Sequence, residues 1–131
     1  MADHLDVVQL LIEHGASVNQ AIKDGRTALH LASKKGHLAI AQLLIEHGAY
    51  IDQALKNGWT ALHFALEEGH LDIVRLLIEH TTSVNQATMD GRTALHLASE
   101  KGHLDIAQLL IAHSASVDQG TKNGWTALHI A

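Results

Sequence analysis

The sequence predicts an all-α solenoid, a row of helix-turn-helix units stacked side by side, and three patterns sharing one stride predict it. Gly-x-Thr-Ala-Leu-His occurs at 25–30, 58–63, 91–96 and 124–129, 33 residues apart each time. The pair Gly-His follows at Gly36-His37, Gly69-His70 and Gly102-His103, with Asp3-His4 in the same phase. Leu-Leu-Ile recurs at 10–12, 43–45, 76–78 and 109–111. One such unit is too small to bury its own apolar face, whereas a row of them joins those faces into a continuous core.

Each element of a unit has a local cause. Asp24-Gly25 and Asn57-Gly58 are turn dipeptides, because glycine accepts positive φ and Asn or Asp tolerates it. Thr27, Thr60, Thr93 and Thr126 follow as N-caps whose hydroxyl can accept a bond from an orphan helix amide. A short first helix then runs from about Ala28 to Lys34, with Leu29 and Ala32 on one face, and Gly36 stops it. The second helix runs from about His37 to Glu46. Its Leu38, Ile40, Ala41, Leu44 and Ile45 form an apolar stripe at helical spacing. Gly48-Ala49 closes it. The expected organisation is one domain over 1–131, with a half repeat at 1–21, full repeats at 22–54, 55–87 and 88–120, and a half repeat at 121–131.

A longer period is laid over the short one. Residues 18–50 differ from 51–83 at 15 of 33 positions but from 84–116 at only 7, so alternate units are the closer relatives. Its visible mark is Asp-Gly-Arg-Thr at 24–27 and 90–93 against Asn-Gly-Trp-Thr at 57–60 and 123–126.

Composition removes several function classes. Apolar residues make up 47% and charged residues 18%, which is a folding composition. The net charge of -5 opposes phosphate neutralisation, and the longest cationic run is Lys34-Lys35, so nucleic acid is not an expected partner. There is no cysteine, which excludes disulfides and cysteine-ligated zinc. The opening residues are acidic without an apolar run, and no stretch is long enough to span a bilayer. A cytoplasmic protein without a membrane partner is the expectation.

The twelve histidines form three columns at the 33-residue stride: His30, His63, His96, His129; His4, His37, His70, His103; and His14, His47, His80, His113. Neighbours in a column should sit about 8–10 Å apart, the spacing of packed helices. Zinc holds its nitrogens at about 2 Å, so chelation within a column is not expected. The first column is expected to hydrogen-bond inside and between units instead. Ser33 and Ser99 lie near His30 and His96 only because the unit repeats, and Glu67-Glu68 is a solvated pair. No nucleophile–base arrangement and no phosphate loop is present, so neither catalysis nor a cofactor is expected.

The motifs Gly-x-Thr-x-Leu-His-x-Ala and Gly-His-Leu-x-Ile-x-x-Leu-Leu resemble those of ankyrin repeats, and the match covers essentially the whole chain. The resemblance implies L-shaped units of two antiparallel helices with a projecting β-hairpin-like loop. It also implies a concave surface of loop tips and first helices that binds other proteins. Four departures stand out. Ala28, Ala61, Ala94 and Ala127 replace the usual proline, a change that a strong helix former should tolerate. Ile22, Leu55, Thr88 and Thr121 replace the aspartate that often opens the loop, which leaves its hydrogen bonding open. The Gly-Ala stop becomes Thr81-Thr82 and Ser114-Ala115, so a different turn is expected after His80. Finally, the phase leaves a half unit at each end without a polar cap, so Leu5, Val8, Leu11, Leu128 and Ile130 should face water or a neighbour, as in an excerpt of a longer array or a chain whose ends stack on another copy.

Core positions agree between units, and the disagreements gather at the loop tips and the ends of the first helices. They are Lys23, Asp24, Arg26, Lys34 and Lys35; then Lys56, Asn57, Trp59, Glu67 and Glu68. Met89, Asp90, Arg92, Glu100 and Lys101 follow, and Lys122, Asn123 and Trp125 end the series. Exposed Trp and Arg are enriched at interface hot spots, and alternation of Arg26, Trp59, Arg92 and Trp125 suggests a row of Arg–Trp contacts. The competing reading is that the tryptophans cover the loop base. The leading expectation is a non-enzymatic scaffold binding a protein or peptide there. The rival is a structural spacer whose uncapped ends stack head-to-tail on other copies.

Overall fold

The computed structural model describes residues 4–131; Asp3, placed above in phase with the unit glycines, lies outside them. Eight helices follow in order: α1 Leu5–Glu13, α2 Ala28–Lys35, α3 Leu38–Glu46, α4 Ala61–Glu68, α5 Leu71–His80, α6 Ala94–Lys101, α7 Leu104–Ala112 and α8 Ala127–Ile130. They stand in two layers. The even-numbered helices pack in one row and the odd-numbered helices α1, α3, α5 and α7 in another, with α2, α4 and α6 each against the helix that follows it.

The first helices begin where the sequence places them, at the alanine after each threonine. The threonines are extended, and the Thr60, Thr93 and Thr126 hydroxyls accept the amide three residues on at 3.4–3.5 Å. The histidine of each motif answers in the other direction, its Nδ1 accepting the threonine amide. Gly36, Gly69 and Gly102 end these helices at φ 82°, 76° and 70°, the left-handed region that lacks a Cβ penalty only for glycine.

The second helices differ at their ends. After α5, Thr81 takes φ -77° and ψ 147°, so the helix runs one residue further, to His80, and leaves in extended conformation. That is the different turn expected there. Ser114 instead adopts φ 73°, the one non-glycine residue with positive φ among those described.

The core runs through both layers and is deepest at the centre. Ile73, Val74, Leu77 and Ile78 of α5 are fully buried, α3 and α7 each bury two residues, and α1 and α8 bury none. A leucine such as Leu77, closed on all sides, contributes about 2–5 kcal/mol over alanine. Of the terminal apolar residues, Leu11 and Leu128 are exposed, while Leu5, Val8 and Ile130 are half-buried. The more open side of α1 carries Val7, Leu10 and Leu11.

Candidate functional site

Each loop tip is a tight hairpin closed by two backbone bonds. Ile22 N–H donates to the Arg26 carbonyl and Gly25 N–H to the Ile22 carbonyl, both at 2.9 Å, and the pattern repeats at Leu55, Thr88 and Thr121. No described residue is in a strand; the hairpin character lies in these pairs. The missing opening aspartate is replaced in two ways. Where the loop opens on threonine, its hydroxyl accepts the amide of Arg92 at 3.1 Å or of Trp125 at 3.2 Å. Where it opens on Ile22 or Leu55, an Asx turn substitutes: Asp24 accepts from the Arg26 amide at 3.1 Å and Asn57 from Trp59 at 3.0 Å.

The third tip is joined to the second and to the fourth. Met89 N–H donates to the Asn57 carbonyl at 2.7 Å and Lys122 N–H to the Asp90 carbonyl at 2.8 Å. Gly91 sits at this join with φ 86°, and a Cβ there would lie 2.7 Å from the Lys122 backbone nitrogen.

The first histidine column ties the tips to the inner helices. The backbone amide of each motif threonine donates to the histidine Nδ1, at 3.0 Å for Thr27–His30, 3.1 Å for Thr60–His63 and 2.9 Å for Thr93–His96. The acceptor role of Nδ1 puts the proton on Nε2, which donates to the next unit: His63 to the Arg92 carbonyl and His96 to that of Trp125, both at 3.0 Å. His30 reaches the Gln53 carbonyl at 2.9 Å instead, and it meets the Phe64 ring edge-on with centroids 5.9 Å apart. All three rings are buried, with both nitrogens engaged by the protein. Burial is the leading cause that lowers the pKa of His30 and His63 below the usual histidine value.

Between the tips lie two grooves related by the 66-residue period. Asp24, Arg26, Leu55, Lys56, Asn57 and Phe64 line one of about 380 Å³. Asp90, Arg92, Thr121, Lys122, Asn123 and Ile130 line its counterpart of about 450 Å³, which Glu100, Trp125 and His129 also border. Every one of the six positions in the first groove maps onto the second at the same interval.

The description "Ankyrin repeats (3 copies)" fits residues 1–88 and 82–131 of this sequence. The chain belongs to the ankyrin repeat family. Ankyrin repeats are in general protein–protein interaction modules. No curated protein matches this one significantly. Among the described residues, no helix of this ankyrin chain is long and apolar enough to cross a membrane.

The ankyrin loop tips and inner-helix ends carry the varied residues, but in contacts that differ from the expected Arg–Trp row. Arg26 Nε bonds Asp24 Oδ2 at 2.9 Å, and Arg92 pairs with Glu100. Carboxylates stand within reach of both guanidiniums, and a charge-assisted bond outweighs a half-exposed cation–π contact. Trp59 is half-buried against Phe64 and His63, with ring centroids at 5.3 and 5.6 Å. Trp125 stays 53% exposed, with only His129 edge-on at 6.0 Å. Lys23, Lys34, Lys35, Lys56, Asn57, Glu67, Glu68, Asp90, Lys101, Lys122 and Asn123 are exposed, and Met89 projects furthest from the third tip. Lys101 approaches Glu67 at 4.0 Å across adjacent inner helices.

Phe64 is the surface residue that the sequence reading missed. It lines the first groove, and Lys34 Nζ lies 5.9 Å from its ring centroid. The signal was present: leucine stands at the equivalent positions 31 and 97, so Phe64 is itself a point where units disagree.

Proposed function

We propose that this ankyrin chain is a non-enzymatic recognition module that takes a protein or peptide along its loop tips and inner helices. One observation carries the reading. Many residues common to the units, the buried histidines among them, point inward and hold the fold together, whereas the varied residues Arg26, Lys56, Phe64, Arg92 and Lys122 sit at tips or line the grooves. The two tryptophans have different parts in it. Trp125 offers an open ring, while Trp59 is half-buried against Phe64 and His63.

Affinity capture comparing the intact chain with the Trp59→Ala, Trp125→Ala variant tests this, followed by titration of the captured partner. A hot-spot loss of about 2 kcal/mol or more is expected, roughly thirtyfold in affinity. Undiminished binding by a variant with intact helical content would move the contact to another surface.

A second reading is favoured by Leu128, 85% exposed at one end of the stack, and by Leu10 and Leu11, each 54% exposed at the other. Stacking of these ends on other copies would make the chain an assembly element. The two readings use separate surfaces and separate variants distinguish them.

A further inference from the structure

Charge is sorted on this molecule. Of nine Lys and Arg residues, all but Arg75 lie at loop tips or at the ends of the inner helices. Arg75 is on α5, with Asp105 at 3.9 Å. Five of the fourteen carboxylates share the surface of the eight cations, giving it +3; the rest of the sequence, with one cation and nine carboxylates, carries -8. A cationic inner surface on an anionic protein is a field pattern that selects and steers an anionic partner.

Within that surface the grooves carry mixed charge, with one lysine in each outside any ion pair among the described residues. Each groove combines an arginine from one tip with a lysine from the next, Arg26 with Lys56 and Arg92 with Lys122, beside Asp24 in the first groove and Asp90 and Glu100 in the second. The arginines are already held by Asp24 and Glu100. Lys56 and Lys122 are exposed and make no ion pair among the described residues. Half-buried Trp59 follows Lys56 and Asn57 on the same tip and packs on Phe64 of the first groove.

We infer that the partner segment is an extended acidic peptide, with one carboxylate side chain in each groove and an apolar residue against Trp59 beside the first. This deepens the recognition reading above and rests on it. Two units correspond to about 16–20 Å at ordinary helix-packing distances. That is about five or six residues of extended chain. A peptide can set its charges at that interval. A nucleic acid carries a phosphate at every step, more charge than one unpaired lysine in each groove would match.

Selection from a displayed library of random peptides on the intact chain, then anisotropy titration of the enriched peptides, tests this. Enriched sequences should be net acidic, with two carboxylates five or six residues apart (about two units). Their affinity should fall about tenfold or more in Lys56→Glu, Lys122→Glu, fall with added salt, and hold in Arg75→Glu. Neutral or basic enriched peptides, no enrichment, or tighter binding of a short oligothymidylate would overturn the acidic occupant. Neutral or basic peptides that are lost on Trp59→Ala would overturn only that occupant and leave the surface assignment standing. Peptides indifferent to Trp59→Ala and to both lysine changes would overturn the two together.

Discussion

His30 and His63 hold their places only as neutral rings, because Nδ1 must accept the threonine amide while Nε2 donates to a carbonyl. Burial, the largest cause, pushes both pKa values below the reference of 6.5. The unfolded chain therefore binds these protons more readily than the folded one. Their contribution to stability is complete above about 6.5 and is lost as pH falls through that value toward the lowered folded pKa. Urea denaturation should accordingly show a lower midpoint at pH 5 than at pH 7.5; equal midpoints would contradict this. Ser33 supplies the opposite case. Its hydroxyl is fully buried with no hydrogen-bond partner among the described residues, whereas the equivalent position 66 is leucine. Ser33→Ala should raise stability by about 1 kcal/mol, since it removes an unsatisfied polar group at little cost in volume. Chemical denaturation that shows a loss instead would mean that the hydroxyl has a partner.

At the scale of elements, helix starts and stops follow local chemistry, and the exceptions identify what local chemistry omits. Ser114 holds φ 73° where Gly15 and Gly48 take 87° at the same point of earlier units. Ser114→Gly should stabilise by about 1 kcal/mol, the steric penalty of the left-handed region for a residue with a Cβ. An unchanged melting temperature would place the strain elsewhere. Thr81 avoids that penalty through a distant partner. Asp52 accepts from the Thr81 and Thr82 hydroxyls and from the Thr82 amide at 3.2 Å. In the alternate units Asn19 and Asn85 grip the same turn differently, accepting from the Tyr50 and Ser116 amides at 2.7 Å and donating to the Gly48 and Ser114 carbonyls at 3.0 and 3.2 Å. Aspartate, with no donor, matches Thr-Thr, and asparagine, with both roles, matches the left-handed stop. The turn after His80 was legible from threonine's dislike of positive φ; its Asp52 clamp was not, because the partner lies 29–30 residues away.

Across the whole molecule, burial rises from bare ends to a closed centre, the expected profile of a chain in which each unit touches only its neighbours. The exposed ends make a separate prediction. Leu11→Glu with Leu128→Glu should abolish any self-association seen by sedimentation at high concentration while leaving partner binding intact. Leu11 is the better test residue than Leu5, which the structure half-covers. Association that persists in this variant would assign it to another surface.

The sequence by itself determined the architecture, because every unit repeats its caps, glycine stops and apolar stripe, and those are local instructions read at a constant stride. It also marked the surface where units disagree, though not how those residues pair. Only the tertiary structure decided that Arg26 and Arg92 turn to carboxylates, that Trp59 leans on Phe64, and that tips 57–89 and 90–122 are joined. The tip joins depend on which backbone groups meet across a stacked interface, and the pairs inside a unit on which of several nearby partners the folded loop brings into reach; neither is encoded in residue order alone.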